Sequence, residues 1–234
     1  MFSFTLNIKK FKIFEYWKNK AVLMLYLSSL VFLALIFLAM VFYTGGTRDN
    51  PTVSGYSFWG NTLSDSGRFM AWSGVPNIVS MVIFSLSLII YGIFYIPFYI
   101  LVSESLTEGK LEKLSSKMGK NFGILFSICI IGIAFSPGDI LYIIHIIFVF
   151  IGYPSALLNG VFFSIAFFKN KRFSNVYALI FAIFTAFYFI SIALAFIGLL
   201  IDFNLTVLFQ KLGSFGALAA FLIIGYGFWK FKKS

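Results

Sequence analysis

Six long apolar runs constrain the fold of this chain more than any other feature of its sequence. A helix needs about 20 consecutive apolar residues to cross the hydrocarbon core of a bilayer. The third run is short, so we expect its helix to begin near Lys117 or Lys120. The sequence predicts an all-α polytopic membrane protein, a bundle of six transmembrane helices. The runs are roughly Ala21–Tyr43, Ser73–Val102, Phe122–Phe135, Ile140–Phe168, Val176–Ile201 and Gly213–Trp229.

The composition agrees with this prediction. Of the 234 residues, 60% are hydrophobic and only 11% are charged, whereas soluble domains carry roughly 25% charged residues. So little charge cannot cover a water-facing surface, which excludes a soluble enzyme, a disordered tail and a nucleic-acid binder. The single cysteine, Cys129, excludes an intramolecular disulfide and a thiolate metal cluster.

The basic residues predict the orientation of the bundle. Fifteen of the 18 lie in residues 1–20, 103–120, 169–175 and 230–234, and only Arg48, Arg68 and Lys211 lie on the other side. Because cytoplasmic loops are enriched in Lys and Arg, we expect a multi-pass protein of the cell membrane with both termini in the cytoplasm. We expect two parts: a cytoplasmic basic juxtamembrane segment, 1–20, and a single six-helix membrane domain, 21–234.

The first predicted outer loop ends in a polar segment, residues 61–68. If this segment is helical, Asn61, Asp65 and Arg68 share one face, which would place an anion beside a cation. The alternative is structural, because Thr62-x-x-Asp65 fits a capping box at the start of a helix.

Residues 136–139, Ser-Pro-Gly-Asp, have the pattern of a helix N-terminus. Ser136 would be the N-cap, Pro137 the first helical residue and Asp139 an acid in the first turn. We expect this turn to join the third and fourth helices as an antiparallel hairpin, with Asp139 in a capping role.

His145 is the ionisable residue that the sequence places inside a span. Ionisable groups in a membrane are costly and tend to be functional. His145 is therefore either a proton relay, a base or a donor to a lipid phosphate, or a neutral histidine bonded to a Ser, a Tyr or a backbone carbonyl nearby.

Other polar and small residues in the predicted spans have structural interpretations. Asn77 and Asn159 are expected to bond across to neighbouring helices. We expect close helix approach at Gly119-x-x-x-Gly123 and at a stripe of small residues that begins at Gly213. Bends are expected at Pro76, Pro97 and Pro154.

Several more specific functions require residues that this sequence does not supply. A retinal protein needs a lysine within a span, and the pattern places every Lys in a loop or at a helix end. One His and one Cys do not make a catalytic zinc site. We expect no metal and no cofactor, although an oxygen-ligand site for Ca²⁺ or Mg²⁺ at Asp65, Asp139 and Asp202 remains open.

Two segments resemble a known family. Leu63-Ser64-Asp65-Ser66-Gly67, followed by Asn77, resembles the Leu/Ile-Ser-Asp-x-Gly segment of small six-helix prokaryotic membrane proteins grouped as domain-of-unknown-function 998. Phe135–Asp139 with His145 is similar to that family's Phe-x-Pro segment and its later His. The first segment is more distantly similar to eukaryotic Frag/DRAM/Sfk-type proteins, which have six spans and are connected with lipid remodelling, lipid asymmetry and autophagy. The resemblance implies a six-helix fold; the prokaryotic family has no assigned activity.

These observations lead to a functional expectation. The polar segments converge on the predicted outer side at headgroup depth, so we expect a pocket that handles or senses lipid headgroups, with membrane lipids as partners. The alternatives are a membrane-embedded lipid-modifying enzyme, with His145 as base and Asp65 orienting it, and a small-solute transporter. The expected pocket residues are Asn61, Ser64, Asp65, Arg68, Asp139 and His145.

Overall fold

The computed structural model describes residues 20–232. Within this range, six helices are long and apolar enough to cross a membrane, and there is no β-strand. The helical prediction is therefore confirmed for this part of the chain. The predicted basic segment lies outside the described residues, except for Lys20. The helices are α1 (Ala21–Val41), α2 (Ile78–Ser105), α3 (Lys110–Ala134), α4 (Tyr142–Lys169), α5 (Asn175–Ile201) and α6 (Phe203–Phe231).

Two helices begin earlier than the apolar pattern predicted. Helix α3 starts at Lys110 because its first turns bury polar side chains, among them Glu112 and Ser116, that the pattern treated as loop. Helix α6 starts at Phe203 because Asp202, which also ends α5, accepts a hydrogen bond from the Asn204 N–H at 3.0 Å. An Asp at this position is a favourable N-cap.

Helix α2 begins later than predicted, at Ile78. Residues 73–77 belong instead to an ordered loop, in which the Asn77 N–H donates to the Phe69 carbonyl at 2.7 Å. We call residues 42–77 the loop cap. It contains a short 3-10 helix, Leu63–Gly67, that packs mainly on α2 and also contacts α1 and α6.

The six helices form a closed ring. Each packs against its neighbours in the chain, and α6 returns to pack against α1. Short connections make the sequential helices from α2 to α6 antiparallel, and the long loop cap contacts Asp139 of the α3–α4 turn and Phe203 at the start of α6. The loop cap, the α3–α4 turn and the α5–α6 corner therefore share one end of the bundle. The opposite end carries the α2–α3 and α4–α5 connections, and we call it the Lys-rich end.

Small residues bring α3 and α4 close together, as predicted. A Cβ atom on Gly123 would lie 2.8 Å from Asn159 Nδ2 of α4 and 2.7 Å from the Tyr99 ring of α2, so a larger residue would displace these side chains. The close approach lets Asn159 donate to the Gly119 carbonyl at 2.8 Å. This bond confirms the predicted cross-helix role of Asn159.

Aromatic side chains fill the core toward the Lys-rich end. The Tyr95 ring lies 4.1 Å from the ring of Tyr91 and 5.3 Å from that of Phe221, measured between centroids. Tyr95 also shares a 2.7 Å hydrogen bond with Ser29 of α1, which satisfies both buried hydroxyls.

Candidate functional site

The loop cap is held in one conformation by its own hydrogen bonds. Gly46 has a φ of +82°, and a Cβ there would collide with the backbone of residues 72–73, so glycine is required. The Asn61 side chain is fully buried; it donates to the Gly46 carbonyl at 2.9 Å and accepts from the Ser57 N–H at 2.9 Å. Asn61 is therefore an organiser of the loop.

Asp65 lies at the centre of the loop cap. Its Oδ2 accepts from the Thr62 N–H at 2.7 Å, and Thr62 Oγ1 accepts from the Asp65 N–H at 3.2 Å. These two bonds confirm the predicted capping box, here at the start of the 3-10 helix. Asp65 also accepts from the indole N–H of Trp72 at 2.9 Å and from the Asn61 amide at 3.3 Å. Both carboxylate oxygens thus have donors within the loop cap.

Arg68 does not share a face with Asp65 as the helical alternative suggested. Its Nε donates to the Met70 carbonyl at 3.0 Å. Its guanidinium lies 3.9 Å from the centre of the Trp72 ring, a cation–π contact. Arg68 therefore packs over the indole that bonds Asp65.

Ser136 and Asp139 do not cap α4, and that expectation was wrong. The helix begins at Tyr142, and its N-cap, Leu141, makes no side-chain hydrogen bond. Ser136 donates back to the Gly132 carbonyl of α3 at 2.8 Å. Asp139 instead accepts from the backbone N–H groups of the loop cap, from Phe69 at 2.9 Å and from Met70 at 2.7 Å. The turn joins α3 and α4 as predicted, but its Asp139 carboxylate bonds to the loop cap, which is distant in sequence.

Asn77 is also a loop-cap residue rather than a member of a span. Its Nδ2 donates to the Arg68 carbonyl at 3.0 Å and to the Ser66 carbonyl at 3.2 Å. Its Oδ1 accepts from the Thr44 N–H at 3.3 Å. Asn77 therefore joins both ends of the loop cap at the start of α2.

His145 is buried in the first turn of α4. Its Nδ1 lies 2.7 Å from the Ser136 carbonyl, so this nitrogen carries the proton and donates. In the neutral ring, Nε2 is then a hydrogen-bond acceptor. The Asp65 carboxylate is within Coulombic range of His145. In the described part of the chain, however, the Asp65 carboxylate accepts its hydrogen bonds from Thr62, Trp72 and Asn61.

Two neighbouring polar residues of α6 complete this end of the bundle, and the sequence pattern missed both. Gln210 Oε1 accepts from the Leu63 N–H of the loop cap at 2.8 Å, and Gln210 Nε2 lies 3.5 Å from the Tyr153 hydroxyl of α4. The buried Lys211 donates to the Asn61 carbonyl. The expectation that every Lys lies in a loop or at a helix end was therefore wrong. Asp202, as an N-cap before an apolar run, was the signal that α6 begins early enough to include both.

Beneath the loop cap lies a cavity of about 100 Å³ that all six helices and the 3-10 helix line. On α4 the lining runs from His145 to Gly160, and on α6 from Gln210 to Phe221. At 1.5 Å per residue these stretches are about 22 and 16 Å long, so the cavity is narrow and extended along the bundle. Ser64, His145, Tyr153 and Gln210 line it near the cap, and most of the remaining lining is apolar.

The six predicted pocket residues therefore divide into two groups. Ser64 and His145 line the cavity. The remaining four make the hydrogen bonds that build the loop cap or attach it to the α3–α4 turn. Within residues 20–232 no group of three or more His, Cys, Asp or Glu side chains is placed to hold a metal ion. The four residues that build or attach the loop cap are Asn61, Asp65, Arg68 and Asp139.

Comparison with known proteins adds no functional assignment. No protein-family model, curated protein or solved structure matches this chain.

Proposed function

We propose that this protein is a multi-pass protein of the cell membrane that binds one membrane lipid in the cavity beneath its loop cap. The six apolar helices support insertion in a bilayer. The excess of Lys and Arg at one end of the bundle supports a cytoplasmic location for that end and for both termini. The loop cap then faces the outer side, and the lipid's headgroup lies beneath it.

The shape of the cavity favours a chain-like ligand. Its volume of about 100 Å³ is smaller than the roughly 150 Å³ of an engineered cavity that binds benzene. The cavity extends over about 16 to 22 Å of helix, so it is too narrow for a compact solute, and a lipid chain enters it only if the lining side chains move apart. Its walls include Phe84, Leu88 and Val149, which suit an alkyl or isoprenoid chain.

The polar end of the cavity favours an uncharged headgroup. Ser64, Tyr153 and Gln210 present neutral donors and acceptors, and a neutral His145 presents an acceptor at Nε2. Lys211, the cation nearby, donates to the Asn61 carbonyl, and the Asp65 carboxylate is within Coulombic range of it. Because a buried charge without a partner is expensive, hydroxyl groups fit this end better than a phosphate.

The family resemblance remains part of this proposal. The segments that carry it are 63–67, Asn77, 135–139 and His145, and they lie together at the loop-cap end of the bundle. A shared lipid-binding architecture would account for why these segments, far apart in sequence, occur together.

The observation that carries the proposal is the extended cavity with its polar groups at one end. The experiment is mass spectrometry of lipids retained by the purified full chain, with Gln210→Leu as the variant. We expect about one lipid per protein, with an uncharged hydroxylated headgroup, and loss of most of it in the variant. Retention of a random sample of membrane lipids, equal in both proteins, would contradict the proposal. Chemical conversion of the retained lipid during incubation would instead indicate the enzymatic alternative.

A further inference from the structure

We infer that a groove at the Lys-rich end, between α1 and α6, binds an anionic phospholipid of the adjacent leaflet. The groove has a volume of about 500 Å³. Its lining combines two lysines, Lys20 and Lys232, with exposed rings of Tyr226 and Trp229 and the apolar side chains of Val22 and Leu23. It lies at the opposite end of the bundle from the cavity described above.

The lysines come from both sides of the groove. Lys20 immediately precedes α1 and Lys232 immediately follows α6, and both are exposed. Lys230 is nearby, with its Nζ 4.8 Å from the centre of the Tyr226 ring. Of the described residues that line the groove, none is acidic. A phosphate between the two helix ends would therefore meet several positive charges.

The remainder of the lining matches the glycerol and acyl region of a lipid. Tyr226 and Trp229 stack with ring centroids 5.8 Å apart, and nearly half of each side chain is exposed. Such rings are enriched at headgroup level in membranes. Below them, Tyr26 of α1 donates to the Leu222 carbonyl of α6 at 2.6 Å, which fixes the two helices that form the groove. Leu23 is 53% exposed and offers an apolar surface to a chain.

Charge distinguishes between two possible occupants of the groove, an anionic lipid and the chain segment of residues 1–19. Residues 1–19, which join directly to Lys20, carry four lysines and one glutamate. Their net charge of +3 is repelled by the lysines of the groove. Anionic lipids attract such basic positions at the membrane surface, each worth about a fivefold gain in affinity. An anionic phospholipid is therefore the occupant that the groove favours.

The test is native mass spectrometry of the full chain titrated with phosphatidylglycerol or with phosphatidylcholine. The double variant Lys20→Gln/Lys232→Gln should bind phosphatidylglycerol about 25-fold more weakly, from fivefold at each site, with phosphatidylcholine unchanged. The matched control is Lys110→Gln/Lys171→Gln, two exposed lysines at the same end that do not line the groove. It should change binding by less than twofold. An equal loss in the control would show a diffuse basic surface and overturn the inference.

A second measurement locates the lipid. Brominated phosphatidylglycerol should quench tryptophan fluorescence more than brominated phosphatidylcholine does. The excess quenching should vanish in Trp229→Phe, because Trp229 lines the groove. Equal quenching by the two lipids, or an excess that persists in the variant, would overturn the inference. Neither result depends on occupancy of the central cavity, because that cavity lies beneath the loop cap.

Discussion

Asp139 accepts a hydrogen bond through Oδ2 from the backbone N–H of Met70 at 2.7 Å, although the two residues are 69 positions apart. The bond attaches the loop cap to the α3–α4 turn. The same turn supplies the Ser136 carbonyl that accepts from His145. The Asp139 carboxylate therefore holds together the parts that close the cavity.

Asp139→Asn should destabilise the protein by about 1–3 kcal/mol. An asparagine offers one acceptor oxygen, and its amide N–H would face the second loop-cap N–H, donor against donor. The measurement is thermal unfolding in detergent. The control is Asp49→Asn, which removes an exposed carboxylate from the loop cap and should cost less than about 0.5 kcal/mol. Equal effects of the two changes would remove the anchoring role of Asp139.

Asp65 and Trp72 should be energetically coupled. The indole N–H of Trp72 donates to Asp65 Oδ1 at 2.9 Å. We expect Trp72→Phe and Asp65→Asn each to destabilise the protein. We expect the double variant to lose less unfolding free energy than the sum of the two single losses, with a coupling energy of about 0.5–3 kcal/mol. Unfolding free energies from circular dichroism measure the cycle. Strict additivity would mean that this bond contributes nothing to the loop cap.

His145 should affect both stability and lipid retention. His145→Phe leaves the Ser136 carbonyl without its donor, which we expect to cost about 1–3 kcal/mol. It also removes a polar group from the cavity end, so less lipid should be retained per folded molecule. His145→Gln keeps a donor and should recover part of both losses. If His145→Phe lowers the melting temperature while retention per folded molecule stays unchanged, His145 is structural only.

The proposed orientation predicts which positions an impermeant thiol reagent reaches in intact cells. In a Cys129→Ala background, cysteines at Asn50 and Asn204 should react, because both are exposed at the loop-cap end. Cysteines at Gly109 and Lys171, exposed at the Lys-rich end, should react only after the cells are opened. The reverse pattern would invert the bundle. Reaction at all four sites in intact cells would contradict a six-span arrangement.

The helices were predictable because the length and hydropathy of an apolar run are enough to identify a helix that could cross a membrane. The capping box of the loop was predictable as well, since Thr62 and Asp65 are three residues apart and their bonds are local. The close helix approach at Gly119 and Gly123 was predictable for a similar reason, because small residues at helical spacing indicate a close helix contact.

The role of Asp139 was not predictable from its neighbours. A local pattern indicated a cap, but the backbone groups of residues 69–70 compete for the same carboxylate, and only the folded chain brings them together. Gln210 and Lys211 were missed because polar residues interrupt the apolar run and moved the expected start of α6 to Gly213. The cavity depends on the packing of all six helices, which a single sequence does not specify.

The most direct test of the central claim is to fill the cavity and measure the retained lipid. Ala217 of α6 lines the cavity, and Ala219 on the same helix does not. After purification of folded full-length variants, mass spectrometry should find the retained lipid reduced at least tenfold in Ala217→Phe and nearly unchanged in Ala219→Phe. Equal lipid content in the wild-type protein and Ala217→Phe would contradict a lipid bound in this cavity.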